Sequence, residues 1–384
     1  ITGFIEYTCI QGVCGGEGRT SAYPLFCNPL AGDYRLHVNS PCLNTGTPIG
    51  APLVDIAETP RPQGSGIDMG AYEWIEVDSD GDRLMDDFET TWSHTDPENA
   101  DTNGNGVSDG DEWFGSHIWH VNSASTAESP DGVSWETAFQ DIQSAVDNTY
   151  IRRGSGEIWI AKGTYTSSSE NVVTMRYDTH LYGGFDGTEI NREDRDWERN
   201  PTIIDGELKR RCVAGSSDST FDGFNVTRGA AFQGGGMHNI YVSSTTIQNC
   251  HFYGNTSVKY GGGIFNSYRS DPEVIGCLFD NNSAGIEGGG MCNAYYSSPT
   301  IMDCYFKENN AGSGGGISNF NRSSPVFDKC FVLSNSAGGG GGMSNTDYSF
   351  PHITDCQFIG NNADTAGGIY IDNGQFFHVL FNKC

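Results

Sequence analysis

Basic residues are scarce. The chain of 384 residues carries 21 Lys plus Arg against 49 Asp plus Glu, a formal net charge of −28, and a surface of that sign repels nucleic acid and anionic membranes. No nucleic-acid partner is expected. A run of about 18 apolar residues is also missing, so no helical membrane span is expected within the chain. The first residue is Ile1, with no initiator Met and no basic segment leading into an apolar one, which reads as a processed protein or part of a longer one. Catalytic signatures are absent as well. There is no HExxH, nucleophile elbow or Walker sequence, and the one close histidine pair, His117 and His120, has no Asp, Glu or Cys at zinc spacing. No catalytic or organic-cofactor residue is assigned, and the chain is not expected to be an enzyme.

What is abundant is glycine, 52 residues, while hydrophobic residues make up only 36%. That balance suits a turn-rich β architecture, and 12% aromatics argue against disorder. The glycines are periodic. Gly234-Gly235-Gly236-Met237, Gly261 to Ile264, Gly288 to Met291, Gly314 to Ile317, Gly340 to Met343 and Gly367-Gly368-Ile369 recur at steps of 27 or 26 residues. Cys250, Cys277, Cys304, Cys330 and Cys356 keep the same time, followed two residues later by Phe252, Phe279, Phe306, Val332 and Phe358. Two asparagine series run in phase: Asn239, Asn266, Asn293, Asn319 and Asn345 after the glycines, and Asn255, Asn282, Asn309 or Asn310, Asn335 and Asn361 or Asn362 after the aromatic.

A period of this length marks a solenoid. Each unit is too short to enclose a core, and its pieces, such as "TIQNCHF" and "PTIMDCYF", are strand-like and bounded by Gly and Asn. The expected fold is all-β: a right-handed parallel β-helix with one coil per unit, equivalent residues stacking about 4.8 Å apart. Cys-x-Phe then sends two side chains inward and one outward. Glycine permits φ > 0 and close backbone approach at a tight corner, and asparagines stack into amide ladders while tolerating the left-handed region. A phosphate loop is the competing reading of the glycines, but no triplet is followed by Lys-Ser/Thr.

The motifs "FYGN", "FDNN", "FKEN" and "FIGN", paired with Gly-Gly-x-Ile or Gly-Gly-x-Met, resemble the repeats of polymorphic outer membrane proteins and related bacterial surface β-helices. That family has Phe-x-x-Asn with Gly-Gly-Ala-Ile/Leu/Val; here Gly usually replaces Ala, and "VLSN" at 332–335 replaces Phe with Val. The resemblance implies an extracellular, cell-surface protein of bacterial type.

Upstream, Trp135, Ala138, Phe139, Ile142, Ala145 and Val146 line one helical face with Ser134 as N-cap, a helix expected to plug the first coil. Residues 1–76, through "GDYRLHVNSPCLNTG" and "DIAETPRPQGSGIDMGAYE", resemble the closing segment of large secreted β-helices. The expected division is 1–76, end of one β-helix; 77–115, a linker; 116–211, helix cap and first coils of a second β-helix; and 212–384, its repeat coils. Uncovered strand edges are templates for pairing, so Gln375–Cys384 of one copy is expected to meet Ile1–Ile10 of the next, head to tail.

The linker carries the strongest chemical signal. On a twelve-position calcium loop, Asp78, Asp80, Asp82, Asp86 and Glu89 occupy positions 1, 3, 5, 9 and 12, and Asp101, Asn103, Asn105, Asp109 and Glu112 do the same in a second loop; Leu84 and Val107 fall at position 7, which offers a backbone carbonyl. Residues 78–112 hold twelve acids against one base, so without cations they repel one another. The segment resembles bacterial thrombospondin type 3 repeats, which implies a linker stiffened by Ca²⁺. The first loop departs from the pattern with Arg83 at position 6, where the second has Gly106.

The ladder cysteines read as stacked inward thiols, with bridging between coils as the alternative; Cys9, Cys14, Cys27 and Cys42 are better placed for a disulfide. The expected function is structural: a segment of a calcium-stiffened extracellular filament or adhesin stalk. The alternatives are a glycan- or surface-binding module, with Tyr241, Tyr268, Tyr295, Tyr296 and Tyr348 facing outward, and a calcium-dependent polysaccharide lyase or hydrolase.

Overall fold

Four short strands make one coil. From Thr246 the chain runs through Thr246–Gln248, His251–Tyr253, Thr256–Tyr260 and Ile264–Ser267 before Glu273–Ile275 opens the next coil. None of these strands can bury a face alone, and each pairs in parallel with its equivalent one coil on: Phe252 with Phe279, Ile264 with Met291. The register offset is the sequence period. Stacked in this way, the strands form sheets of ten, eight, six and eight members, and the fold is an all-β, right-handed parallel β-helix with a short α-helix at Ile142–Arg152. The computed structural model describes residues 26–28, 33–36, 40, 42–47, 51–63, 65–73, 77–82, 84–86, 89–104, 108–110, 118–152, 156–241, 243–372 and 380–382. Two compact units divide the chain, residues 1–115 with 151–154 and residues 116–150 with 155–384.

In the solenoid unit the inward rows are continuous. Phe221, Ile247, Val274, Ile301, Phe327 and Ile353 form one buried row, the cysteines from Cys250 to Cys356 a second, and Phe252, Phe279, Phe306 and Val332 a third. The phenylalanine rings stack with centroids 5.2 and 4.6 Å apart. Cysteine supplies the small, weakly polar filling between the apolar rows, and the thiols are free; Cys250 Sγ donates to the Gln248 carbonyl at 3.0 Å and Cys304 Sγ to that of Met302 at 3.1 Å. His251, between Cys250 and Phe252, points away from the core and is half-buried.

Buried asparagine survives in this interior because it is paired. Asn239, Asn266, Asn293 and Asn319 each donate Nδ2 to the Oδ1 of the next member, ending at Asn345, all at 2.8 Å. The second ladder runs Asn255, Asn282, Asn309, Asn335, Asn361, so Asn309 and Asn361, not Asn310 and Asn362, are its members. The glycine triplets turn the corner between these ladders. Gly261 has φ +62°, and a Cβ on Gly262 would lie 2.5 Å from the carbonyl oxygens of Gly289 and Ser283, too close for any side chain.

The helix spans Ile142–Arg152 and starts later than the apolar pattern suggests. Its N-cap is Asp141, which accepts from the Ser144 N–H at 2.8 Å and the Ser144 hydroxyl at 2.7 Å; Ser134 instead closes a turn with Thr137. Trp135 and Phe139 therefore lie ahead of the helix. Phe139 makes a parallel bridge to Val121, and Trp135 packs against Phe185 while its Nε1–H donates to the Glu189 carbonyl at 2.9 Å. Ile142, Ala145 and Val146 are buried with Trp119, Val121, Ile158 and Val173, and so close the apolar interior at the first coil.

The described residues of the other unit show antiparallel pairing: Phe26–Asn28 with Asp33–Leu36, and bridges Gly46–Ile67 and Val54–Pro60. Only antiparallel pairing occurs among them, and much of 1–76, where the end of one β-helix is expected, lies outside the described residues. Leu36, Cys42 and Met69 form a small core, and Cys42 is a buried free thiol. Cys9 and Cys14, the other candidates for a bridge, lie outside the described residues, as does the side chain of Cys27.

Candidate metal centre

The two acidic loops fold alike. In the first, the Asp86 N–H donates to the Val77 carbonyl at 3.0 Å and the Ser79 N–H to Asp86 Oδ1 at 2.8 Å. In the second, the Asp109 N–H donates to the Ala100 carbonyl at 2.7 Å and the Thr102 N–H to Asp109 Oδ2 at 3.0 Å. Gly81 and Gly104 take φ +80° and +71° at the same position of each turn. The aspartate at position 9 thus fastens its own loop in both cases.

Loop then meets loop. Asp82 Oδ1 accepts from the Leu84 N–H at 2.7 Å within its loop, and Asp82 Oδ2 accepts from the Gly110 N–H of the second loop at 2.6 Å. Gly110 has to be glycine, since a Cβ there would sit 1.7 Å from the Asp82 carbonyl oxygen. This approach gathers Asp82 and Glu89 of the first loop with Asp109 of the second, carboxylate oxygens all within 4.8 Å of one another and all three residues buried. Asp78, Asp80 and Asp82 form an overlapping group by the same measure. Asp82 is common to both.

Three buried carboxylates so close are costly in low dielectric without a counter-charge. Among the described residues, none of the three pairs with a basic side chain. Burial, reinforced by the neighbouring aspartates, pushes the Glu89 carboxyl up to about 7, and burial raises Asp80 and Asp82 above the ordinary carboxylate range. Three buried oxygens, Asp80 Oδ2, Glu89 Oε2 and Asp109 Oδ1, have no hydrogen-bond partner. Unsatisfied buried acceptors of one sign, in an all-oxygen donor set, fit a hard divalent cation such as Ca²⁺.

The arrangement differs from two independent twelve-position loops. Both oxygens of Asp86 are taken by the Ser79 N–H and hydroxyl, which makes it part of the loop frame, whereas its counterpart Asp109 keeps one oxygen free of partners. Leu84 is buried with its side chain inward, and Asp78 Oδ1 accepts from the Gly81 N–H at 2.7 Å. Asp101 lies on the second loop but in neither group of carboxylates; Asn103 is on the same loop, and Asn105, Val107 and Glu112 lie outside the described residues. The loop spacing does not reveal that carboxylates of the two loops come together. The only sequence signal of that approach is Gly110, beside Asp109 in "SDGDE".

His120 serves packing: its Nδ1 lies 3.1 Å from the Gly132 carbonyl, its ring lies between Trp135 and Trp159, and burial lowers its pKa. His117 lies outside the described residues. No family model matches the chain, and no curated protein or solved structure matches it either.

Proposed function

We propose that the protein is a structural module of an extracellular filament or surface stalk, in which Ca²⁺ completes the fold of the acidic segment at residues 77–112. The observation that carries this reading is the buried trio Asp82, Glu89 and Asp109 with its unpartnered oxygens. Asp80, Asp82, Glu89 and Asp109 would hold the ion through carboxylate oxygens. The ion would neutralise charge that otherwise forces the two loops apart, and so set their geometry. Extracellular calcium modules bind with Kd of about 10⁻⁴ to 10⁻³ M, which suits millimolar calcium outside a cell and leaves the site empty at cytosolic concentrations. The solenoid supplies stiffness, because every coil is hydrogen-bonded to the next along its length. Association of copies head to tail through strand edges completes the proposal.

Electron microscopy of the full chain tests it. In millimolar calcium the expected image is filaments with a fixed axial repeat, which fall apart or kink irregularly after chelation. Separate particles of equal length in both conditions would remove the filament role.

A further inference from the structure

Every repeat coil turns corners at which residues other than glycine adopt left-handed φ. At two of them the occupant is a single residue of mixed type, Asn249, Asp303, Lys329 or Asp355 at one and Arg228, Asn281, Glu308 or Ser334 at the other, with glycine on the remaining coils. The corner after the fourth strand is different, because it takes two successive left-handed residues per coil. These are Tyr268-Arg269 (φ 56° and 61°), Tyr295-Tyr296 (55° and 66°), Asn321-Arg322 (53° and 62°) and Asp347-Tyr348 (50° and 62°), with Tyr241 (59°) one coil earlier. None is glycine, in a chain that has 52. Rings and guanidinium groups gain nothing from a left-handed backbone, so the strain is tolerated for what the side chains do.

Closing the turn is not that purpose. A buried serine follows each pair, and the N–H groups of Ser243, Ser270, Ser297 and Ser323 donate to the Oγ of the next serine at 3.3, 3.1, 3.1 and 3.0 Å, ending at Ser349. This ladder fixes the corner from within, and the outward side chains stand on a rigid frame. Tyr241, Tyr268, Tyr296 and Tyr348 are 45–57% exposed. Tyr241, Tyr268 and Tyr295 stack with centroids 5.2 and 4.8 Å apart. Arg269 and Arg322 lie 5.9 and 5.7 Å from the centre of the Tyr296 ring, and Arg322 Nη1 donates to its phenol oxygen at 2.9 Å.

We propose that this corner is a binding face for an extended, uncharged polysaccharide lying along the solenoid axis. The exposed ring edges and phenol hydroxyls of the tyrosines offer contacts to the C–H groups and hydroxyls of sugars, and the guanidinium, amide and carboxylate groups of Arg269, Arg322, Asn321 and Asp347 pair with further hydroxyls. Both signs of charge occur on the stripe, so it does not select a polyanion. A sugar in an extended chain advances by a distance close to the coil spacing of about 4.8 Å, and successive sugars meet successive corners.

The test is calorimetric titration of the full chain, in millimolar calcium, with cellohexaose, chitohexaose, xylohexaose, mannohexaose and hexagalacturonate. At least one of the four neutral oligosaccharides is expected to bind. Tyr296→Gly and Tyr348→Gly should each weaken that binding about tenfold with the melting temperature unchanged or higher, because glycine relieves the left-handed backbone. Arg322→Ala, away from the stacked rings, should weaken it as well. Failure of all four neutral ligands, binding by hexagalacturonate alone, or undiminished binding in the Tyr296→Gly/Tyr348→Gly double variant would overturn the assignment.

Discussion

Asn293 receives a hydrogen bond from Asn266 and gives one to Asn319, both at 2.8 Å, with no exposure to water. The ladder has a direction, and its two ends show what each rung is spared: Asn239 Oδ1 at one end and Asn345 Nδ2 at the other have no partner. Replacing Asn293 with Ala leaves a donor and an acceptor stranded in the middle of the stack. At about 1–3 kcal/mol for each buried unsatisfied group, Asn293→Ala is expected to lower unfolding free energy by roughly 2–6 kcal/mol, read by urea denaturation. His238 makes a second residue-scale prediction. Burial, with the positive Arg211 nearby, pushes its pKa down to about 3, below the value of about 6.5 for an unfolded histidine. The unfolded chain therefore takes up the proton first. Stability is full above about pH 6.5 and is lost as pH falls toward 3, at up to about 1.4 kcal/mol per pH unit. His238→Gln, which keeps a partner for Ser267, should flatten that part of the stability curve measured between pH 4 and 7.

The elements were legible to different depths. Coil strands could be read because the same position meets the same environment every 26 or 27 residues; Cys-x-Phe fixed which side chains face inward, and Phe279 and Cys277 are buried accordingly. The helix was legible in existence but not in its start. Apolar spacing carried it back to Trp135, whereas Phe139 is taken by a bridge to Val121 and Trp135 by Phe185, tertiary contacts that local periodicity does not encode. The cap follows the real start: Asp141→Ala is expected to cost about 1 kcal/mol in thermal or urea unfolding, and Ser134→Ala less. The acidic loops were legible one at a time, since each follows a local spacing. That Asp82 meets Gly110, 28 residues on, comes from the packing of loop on loop, and so does the approach of Glu89 to Asp109.

At the scale of the molecule, two kinds of order coexist. The solenoid is held by nearest-neighbour contacts repeated coil after coil, with its amide ladders paired from rung to rung and unpartnered only at the ends of the Asn239–Asn345 ladder. The acidic segment is the opposite case: buried like charges, three oxygens without partners, and two loops brought together around them. On the reading proposed above, one cation completes both loops at once. Hydrogen exchange of the chelator-stripped full chain, with and without millimolar calcium, tests it most directly. Calcium is expected to protect the amides of Ser79, Leu84, Thr102 and Gly110 together and to leave the solenoid strands unchanged. Equal protection of those four amides without calcium, or protection gained in one loop alone, would contradict the shared centre.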